Sequence, residues 1–246
     1  MINFSNLKID FQKNSSKQSL KKKVVNVLFL KNLKELKFKP IWLNNETEKF
    51  LIKNSKDRKL KQPYLFETQF GLFLIIPFLD TYDDYSFDIE NQGGMIFDKI
   101  SSDFYDNINF YIDDEFYSSN LLRGLCLKSY KFENYKSNRN QPKIKNILVF
   151  SQNYLKIKSR FQFNLNLVKG VFFARDLVWK PANILYPKSF AEECKKLKKM
   201  GVNVKVLNES NLKKIGMTSL LAVGQGSRQE SYVVVMEWTG GKKNEK

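Results

Sequence analysis

A run of carboxylates in the middle of the chain is the first candidate for a binding site. Asp80, Asp83, Asp84 and Asp88 lie close together in the sequence, and oxygen ligands of this kind can bind a hard cation such as Ca²⁺. The run lacks the glycine and the closing glutamate that an EF-hand loop needs. We therefore interpret residues 80–88 as a solvated acidic loop, with a cation site as the less favoured alternative.

A segment punctuated by glycines is the second candidate. Gly224-Gln225-Gly226-Ser227 is predicted to lie between a helix and a strand, and such loops can hold a phosphate through their backbone N–H groups. The segment lacks the Lys-Ser/Thr ending of a P-loop and the third glycine of a dinucleotide-binding fingerprint, and it precedes a strand rather than a helix. A structural turn that needs a permissive backbone is the favoured interpretation.

Two adjacent charges, Arg175 and Asp176, are a third candidate, as a catalytic pair. Consecutive residues of a helix do not face one another, so helix anchoring or an interdomain contact is the better interpretation. The sequence contains no histidine. Ser-His-Asp or Cys-His hydrolysis and histidine-ligated zinc are therefore excluded within this chain. A metal site would have to be built from carboxylates, carbonyls or lysine.

The charge is distributed unevenly along the 246 residues. Residues 1–62 carry 16 basic and 5 acidic side chains, a net charge of +11. Residues 63–120 carry 1 basic and 12 acidic side chains, a net charge of −11. Residues 121–246 carry 25 basic and 8 acidic side chains, a net charge of +17. Basic surfaces attract nucleic acid or acidic membranes. Few of the basic residues are Arg, however. The chain therefore has few planar guanidinium groups that could form paired hydrogen bonds with DNA bases and recognise a sequence. A solvated, lysine-rich surface is the favoured interpretation.

Composition indicates a globular cytoplasmic protein. Apolar residues make up 42% of the chain and aromatic residues 14%, which is enough for a sizeable core. Cys126 and Cys194 form no paired motif, and we interpret them as buried free thiols in a reducing compartment. No signal peptide is visible. The most apolar run, at 70–79, is too short to cross a membrane, and we predict a buried strand there.

The elements that would position these groups follow from hydrophobic periodicity. Short β-branched or apolar runs predict strands at 2–12, 24–30, 71–76, 108–112, 144–150, 202–207 and 231–238. Helical spacing predicts helices at 91–105, 118–131, 155–178, 187–200 and from 208 to near 216. Ser118 or Ser119 is the expected N-cap of its helix, and Gly201 is the expected stop of the helix before it. Strands that alternate with helices indicate the α/β class.

Three segments in a fixed order carry a resemblance. The first, from Ala174 to Asn183, reads Ala-Arg-Asp-Leu-Val-Trp-Lys-Pro-Ala-Asn and continues with Tyr186-Pro187. The second, from Gly216 to Ser227, reads Gly-Met-Thr-Ser-Leu-Leu-Ala-Val-Gly-Gln-Gly-Ser. The third and weaker segment runs from Gly124 to Lys136. Together they resemble the leucyl aminopeptidase family, also called cytosol aminopeptidases.

The resemblance implies a hydrolase that releases amino-terminal residues, leucine preferred, from peptides. Family enzymes use two divalent metal ions, manganese or zinc, in sites of the kind where the ions lie about 3.5–4 Å apart. Their ligands, a lysine and several carboxylates, belong to motifs of the form Val-Gly-Lys-Gly and Asn-Thr-Asp-Ala-Glu-Gly, and neither string occurs here. We therefore assign no catalytic, cofactor-binding or metal-ligating residue to this chain. We expect it to hold no cofactor and to be inactive alone.

The resemblance also implies the organisation of the molecule. Residues 1–150 would form a mixed-sheet, macro-like α/β domain, residues 151–180 a linking helix, and residues 181–246 the truncated start of an α/β catalytic domain. The family enzyme is a cytoplasmic hexamer. Trp179 departs from the family pattern, which usually has Asn at this position, and this departure puts the geometry of the local turn in question.

Two roles without catalysis remain open. The basic segments could bind DNA, as some bacterial members of the family do, and such binding would weaken steeply with salt. The amino-terminal domain could instead serve only as a contact between subunits.

Overall fold

The protein is described by a computed structural model. It describes residues 2–4, 7–13, 24–29, 46, 49, 53, 63–68, 71–76, 85–101, 105–137 and 144–241. The chain divides into two compact units, Met1–Phe172 and Phe173–Lys246.

The described part of the first unit contains a seven-stranded sheet. Its strands are β1 (Ile2–Phe4), β2 (Leu7–Gln12), β3 (Val24–Phe29), β4 (Tyr64–Thr68), β5 (Gly71–Ile76), β6 (Asn107–Tyr111) and β7 (Asn146–Phe150). They lie in the order β1-β2-β7-β6-β3-β5-β4. The five central strands are parallel, and β1 and β4 pair antiparallel at the two edges. The predicted mixed-sheet α/β class is confirmed, but residues 2–12 form two strands where one was predicted.

The central strands are buried because parallel sheets are covered on both faces. Val25, Val27, Ile147 and Val149 are fully buried, which fits their β-branched side chains and the predicted strands at these positions. The core therefore lies on both sides of β3, β6 and β7.

One polar network is enclosed within this apolar sheet. Asn26 of β3 is 1% exposed and pairs in register with Asn109 of β6. Its Oδ1 accepts hydrogen bonds from Asn109 Nδ2 (3.1 Å) and from the Tyr111 hydroxyl (3.4 Å), and its Nδ2 donates to the Leu72 carbonyl (3.4 Å). If β3 shifted by one residue against its neighbouring strands, these groups would lose their hydrogen-bond partners. The network therefore stabilises the observed register of β3.

Three helices that can be given full bounds among the described residues lie in this unit or begin in it. They are α1 (Tyr85–Ser101), α2 (Glu115–Lys128) and α3 (Tyr154–Trp179). α1 and α2 approach so closely that a Cβ on Gly93 would lie 2.1 Å from the Leu121 carbonyl oxygen. A Cβ on Gly124 would lie 1.8 Å from the carbonyl oxygen of Glu90. Glycine at these two positions therefore permits the helix pair.

A charged contact joins the same helices. The Arg123 guanidinium of α2 forms an ion pair with the Glu90 carboxylate of α1. It also lies 3.4 Å from Oδ1 of Asn164 on α3, a residue that is 6% exposed. Because both charged side chains are mostly shielded from water, this contact ties all three helices together more firmly than an exposed pair would.

The start of α2 differs from the prediction. Ser118 and Ser119 lie inside the helix, where their hydroxyls donate to the carbonyls of Asp114 and Phe116. The N-cap is Asp114, whose Oδ1 accepts a hydrogen bond of 2.7 Å from the Tyr117 backbone N–H. The predicted serine cap is therefore wrong, since an aspartate four residues before Ser118 already accepts a hydrogen bond from a free N–H group of the first turn.

The second unit alternates helices and strands. After the end of α3 come α4 (Pro187–Lys195), a 3₁₀ helix (Lys196–Met200), β8 (Asn203–Leu207), α5 (Glu209–Lys214), α6 (Thr218–Gly224) and β9 (Val233–Glu237). β8 and β9 form an antiparallel two-stranded sheet. Pro187 begins its helix as predicted, and Gly201, with φ 85°, provides the left-handed stop. The predicted helix at 187–200 tightens into the 3₁₀ form over its last turn.

The second unit has a small apolar core. Its fully buried hydrophobic side chains are those of Ala191, Cys194, Val204 and Leu212. Val235, Met236 and Trp238 are 49%, 52% and 67% exposed, and β9 pairs with β8 alone among the described strands. One edge of β9 therefore keeps its backbone N–H and C=O groups unpaired within the described chain.

The two cysteines are free and buried, as predicted. Burial raises the pKa of the Cys126 thiol to about 12. Within the described part of the chain, no helix is both long and apolar enough to cross a membrane.

Candidate functional site

The acidic run does not form a described cation site. Asp80, Asp83 and Asp84 lie outside the described residues, and Asp88 lies in the first turn of α1 rather than in the predicted loop. A carboxylate there interacts favourably with the positive end of the helix dipole. Elsewhere in the described chain, no group of three or more His, Cys, Asp or Glu side chains could hold a metal ion.

The glycine-punctuated segment is a turn, as predicted, but for another reason. Gly224 ends α6, and the Ser227 N–H donates to its carbonyl at 3.0 Å. Neither Gly224 nor Gly226 has a positive φ; the described glycines that do are Gly201 and Gly216. What Gly224 provides is space, since a Cβ there would lie 2.2 Å from the Ser231 hydroxyl oxygen. The expected need for a permissive backbone at this turn is therefore wrong.

The first segment of the resemblance joins α3 to α4. Arg175 and Asp176 are consecutive, half-buried residues of α3, so their geometry is that of helix neighbours. Trp179, the last residue of α3, is 62% exposed. At the start of α4, the backbone N–H of Tyr186 donates to Ser189 Oγ at 2.9 Å. These residues shape a junction between helices, and their roles in anchoring or interdomain contact remain predictions.

A network of three charged side chains stabilises the junction between α3 and α4. Lys180 Nζ lies 2.9 Å from Glu193 Oε1, and both side chains are less than one-fifth exposed. Lys196 Nζ lies 2.7 Å from Glu193 Oε2. Hydrogen bonds from Lys196 and Lys180 lower the pKa of Glu193 below its ordinary value. The charged carboxylate is therefore the form that the folded second unit favours.

Acidification should remove the contribution of this network. Because the folded-state pKa of Glu193 is lowered, its stabilising effect is present above the ordinary carboxyl pKa and is lost as pH falls through the folded value. We expect Glu193→Gln to cost about 1 kcal/mol at pH 7 and much less at pH 3. Thermal unfolding across this pH range measures the difference.

The matched control for that measurement is Glu192→Gln. Glu192 pairs with Lys195 at 2.6 Å, but both side chains are about half exposed, so a smaller effect is expected. An equal loss from both substitutions at pH 7 would contradict the assigned role of Glu193.

The third segment of the resemblance serves packing. Gly124 permits the close approach of α1 and α2, and the Tyr130 ring lies edge-on to Phe172 with centroids 4.8 Å apart. The third segment of the resemblance therefore consists of residues that pack the fold together.

A carboxylate stands where the parallel strands β6 and β7 end, the edge at which open α/β sheets commonly bind ligands. Asp113 Oδ1 accepts hydrogen bonds of 2.8 Å from the Ser151 hydroxyl and from the Gln152 backbone N–H. Its Oδ2 is buried and has no hydrogen-bond partner among the described residues. The Ser151 hydroxyl in turn accepts from the Asn153 N–H. Asp113 thereby fixes the turn that leads into α3.

An open cleft in the second unit is lined by four lysines, and we call it the lysine cleft. Lys188 and Lys195 come from α4, Lys198 from the 3₁₀ helix and Lys205 from β8, and the cleft encloses about 670 Å³. Glu192 is its one lining carboxylate. The sequence predicts only a solvated, lysine-rich surface for the carboxyl-terminal part. The residues of the cleft are separated in the sequence and come together only through the fold, so no sequence pattern indicates them.

Comparison with known proteins gives consistent results. Residues 172–246 match the model of the cytosol aminopeptidase family, catalytic domain. A protein of Brucella anthropi named "Probable cytosol aminopeptidase" is 42% identical over 135 residues, which cover 52% of this chain and 27% of that protein. A protein of the same name from Nitrobacter hamburgensis is 37% identical over 132 residues, covering 52% and 26%. The matched part thus spans about a quarter of these relatives.

Solved structures share the fold. A mutant of tomato leucine aminopeptidase superimposes with a TM-score of 0.74 at 17% identity, over 96% of this chain and 52% of that one. The bottromycin maturation enzyme BotP, in complex with Mn, superimposes with a TM-score of 0.62 at 16% identity, over 87% and 44%. At these identities the likeness shows the fold alone, and the chain spans about half of each structure.

Proposed function

We propose that this chain supplies the amino-terminal domain and the first catalytic-domain elements of a metal-dependent aminopeptidase of the cytosol aminopeptidase family, whose catalytic-domain model matches residues 172–246. The whole enzyme would release amino-terminal residues, leucine preferred, from peptides. The observation that carries this proposal is the match of residues 172–246 to the family's catalytic domain. The identity of 42% to a relative named as an aminopeptidase supports it.

We assign residues 1–150 to the amino-terminal α/β domain, residues 151–180 to a linking helix and residues 181–246 to the beginning of the catalytic domain. The length of α3, 26 residues from Tyr154 to Trp179, supports the middle assignment. The helix–strand alternation from α4 to β9 supports the last one. We further propose a cytoplasmic location and a hexameric assembly for the whole enzyme, on the strength of the family alone.

The described residues do not offer a binding site for the two manganese or zinc ions that the reaction would use. The described chain offers no cluster of carboxylates or thiolates that could hold a metal. The strings Val-Gly-Lys-Gly and Asn-Thr-Asp-Ala-Glu-Gly are absent from the sequence. We therefore propose that residues outside these 246 bind the metals, and we assign no catalytic step to any side chain of this chain. DNA binding gains no support from the comparisons, and we do not propose it.

The purified 246-residue chain should not hydrolyse leucine p-nitroanilide in the presence of Mn²⁺. The physical reason is that water is activated at neutral pH by a metal held in a fixed ligand set, and the two motifs that supply this set in the family do not occur in the sequence. Release of p-nitroaniline is followed by absorbance, with the full-length Brucella anthropi relative as the positive control. Hydrolysis that copurifies with the chain would contradict the proposal.

A chimera tests whether this chain can serve as the amino-terminal part of an active aminopeptidase. Residues 1–241 of this chain are fused in place of the corresponding part of the Brucella anthropi relative, whose remaining catalytic residues are kept. We expect Mn²⁺-dependent hydrolysis by the chimera and none by the remaining part of the relative expressed alone. A folded but inactive chimera would count against this chain as the amino-terminal part of such an enzyme.

A further inference from the structure

The lysine cleft has an excess of positive charge that the peptidase proposal leaves unexplained. Lys195 forms an ion pair with Glu192 at 2.6 Å, so those two lining charges compensate each other. Lys188, Lys198 and Lys205 form no ion pair with a described residue. Three ammonium groups that have no ion pair with a described residue therefore remain around one cleft. Like charges that share a cavity repel one another, and a bound anion would relieve that repulsion.

The polar side chains of the cleft add hydrogen-bond donors. Asn208 Oδ1 accepts from the Asn211 N–H at 3.0 Å, and Asn211 Oδ1 accepts from the Asn208 N–H at 3.3 Å. Because the carbonyl oxygens of both side chains are used in this reciprocal cap, their NH₂ groups are the parts left to donate. Both asparagines line the cleft together with Asn203. The cleft is therefore rich in donors as well as in positive charge.

The size of the cleft favours a small ligand. About 670 Å³ lies within the range of about 300–1,000 Å³ that is usual for small-molecule sites. A nucleic-acid strand instead requires a basic track several phosphates long. Lysine is a common ligand of phosphate, where it acts as a point charge without demanding a planar partner. A compact ligand with several negative charges would match three lysines and the amide donors.

We propose that the lysine cleft binds a small anion that carries two or more phosphate groups. The lysines bind the phosphoryl oxygens, and the amides of Asn208 and Asn211 donate to the same oxygens. All four lysines are exposed, so little desolvation opposes binding, and the affinity falls as salt screens the charges. This site is independent of the peptidase proposal, because it involves no residue assigned to peptide hydrolysis.

Calorimetric titration of the 246-residue chain with inorganic pyrophosphate at low ionic strength tests this proposal. We expect one binding site, and we expect Lys198→Gln combined with Lys205→Gln to weaken the affinity about tenfold or more. Lys214→Gln combined with Lys169→Gln removes the same charge from exposed lysines that do not line the cleft, and should change the affinity less than about twofold. Circular dichroism verifies that every variant is folded.

Three results would overturn the proposal. One is the absence of pyrophosphate binding by the natural chain. Another is an equal loss from the two double variants, which would show that overall charge, and not the cleft, attracts the anion. The last is displacement of pyrophosphate by a single-stranded oligonucleotide that binds more tightly and with a steeper salt dependence, which would identify a nucleic-acid surface instead.

Discussion

Replacing Gly124 with alanine is expected to destabilise the first unit by about 3 kcal/mol, at the upper end of the usual cost of overpacking. The new Cβ would lie 1.8 Å from the backbone carbonyl oxygen of Glu90, and no side-chain rotation can move a backbone atom away. Alanine favours a helix over glycine by only about 1 kcal/mol, which cannot offset the clash. The helices α1 and α2 would have to separate, and Arg123 would lose its position beside Glu90.

Urea denaturation followed by circular dichroism measures this loss, and α1 supplies the matched control. A Cβ on Gly94 would lie 3.8 Å from Lys128 Cβ, which is ordinary contact. Gly94→Ala should therefore stabilise the protein by up to about 1 kcal/mol through helix propensity alone. If Gly124→Ala unfolds at the same urea concentration as the natural chain, the close helix contact is not as described.

Truncating Phe161 to alanine should cost about 4 kcal/mol, as for other fully buried phenylalanines. Phe161 lies on α3, has no exposed surface and packs against Phe11 of β2 with ring centroids 5.8 Å apart. Its removal leaves a cavity between the helix and the sheet, which the surrounding side chains can fill only in part. The expected result is a large decrease in the urea midpoint of the first unit with an unchanged slope.

Phe163 provides a control two residues along the same helix. It is 70% exposed, so Phe163→Ala should change the free energy of unfolding by less than about 0.5 kcal/mol. Similar losses from Phe161→Ala and Phe163→Ala would mean that α3 presents a different face to the sheet.

Periodicity anticipated β3, β5, β6 and β7 because their apolar side chains are largely buried, but it did not predict β4 and it merged β1 and β2 into one strand. The runs around Val25 and Val149 read as strands from the sequence alone and are strands in the structure. Their order in the sheet could not be derived in the same way, since pairing between β2 and β7 depends on contacts more than 130 residues apart.

The boundaries of helices depended on competition between nearby groups, which a pattern does not resolve. Asp114 and Ser118 are both good capping residues, and the structure uses the aspartate. Gly93 and Gly94 are neighbours in the sequence, but only a Cβ on Gly93 would meet a backbone atom of the facing helix. The distinction depends on where α2 lies.

The candidate sites show the same limit, namely that a sequence pattern does not indicate which side chains meet in space. The absence of histidine excluded several chemistries directly from the sequence. The lysine cleft was hidden, because Lys188 and Lys205 are separated by 17 positions and meet only after α4 packs beside β8. An excess of lysine in the carboxyl-terminal part was visible, but the sequence did not indicate which lysines share a cavity.

The unpaired edge of β9 has a consequence for how this chain behaves at high concentration. The N–H and C=O groups that have no partner among the described strands lie beside the exposed side chains of Val235, Met236 and Trp238, which is the combination on which strands of other molecules add. Self-association through this edge competes with the dispersed state as concentration rises. A charge placed at Val235 is therefore expected to raise the concentration at which the chain begins to self-associate.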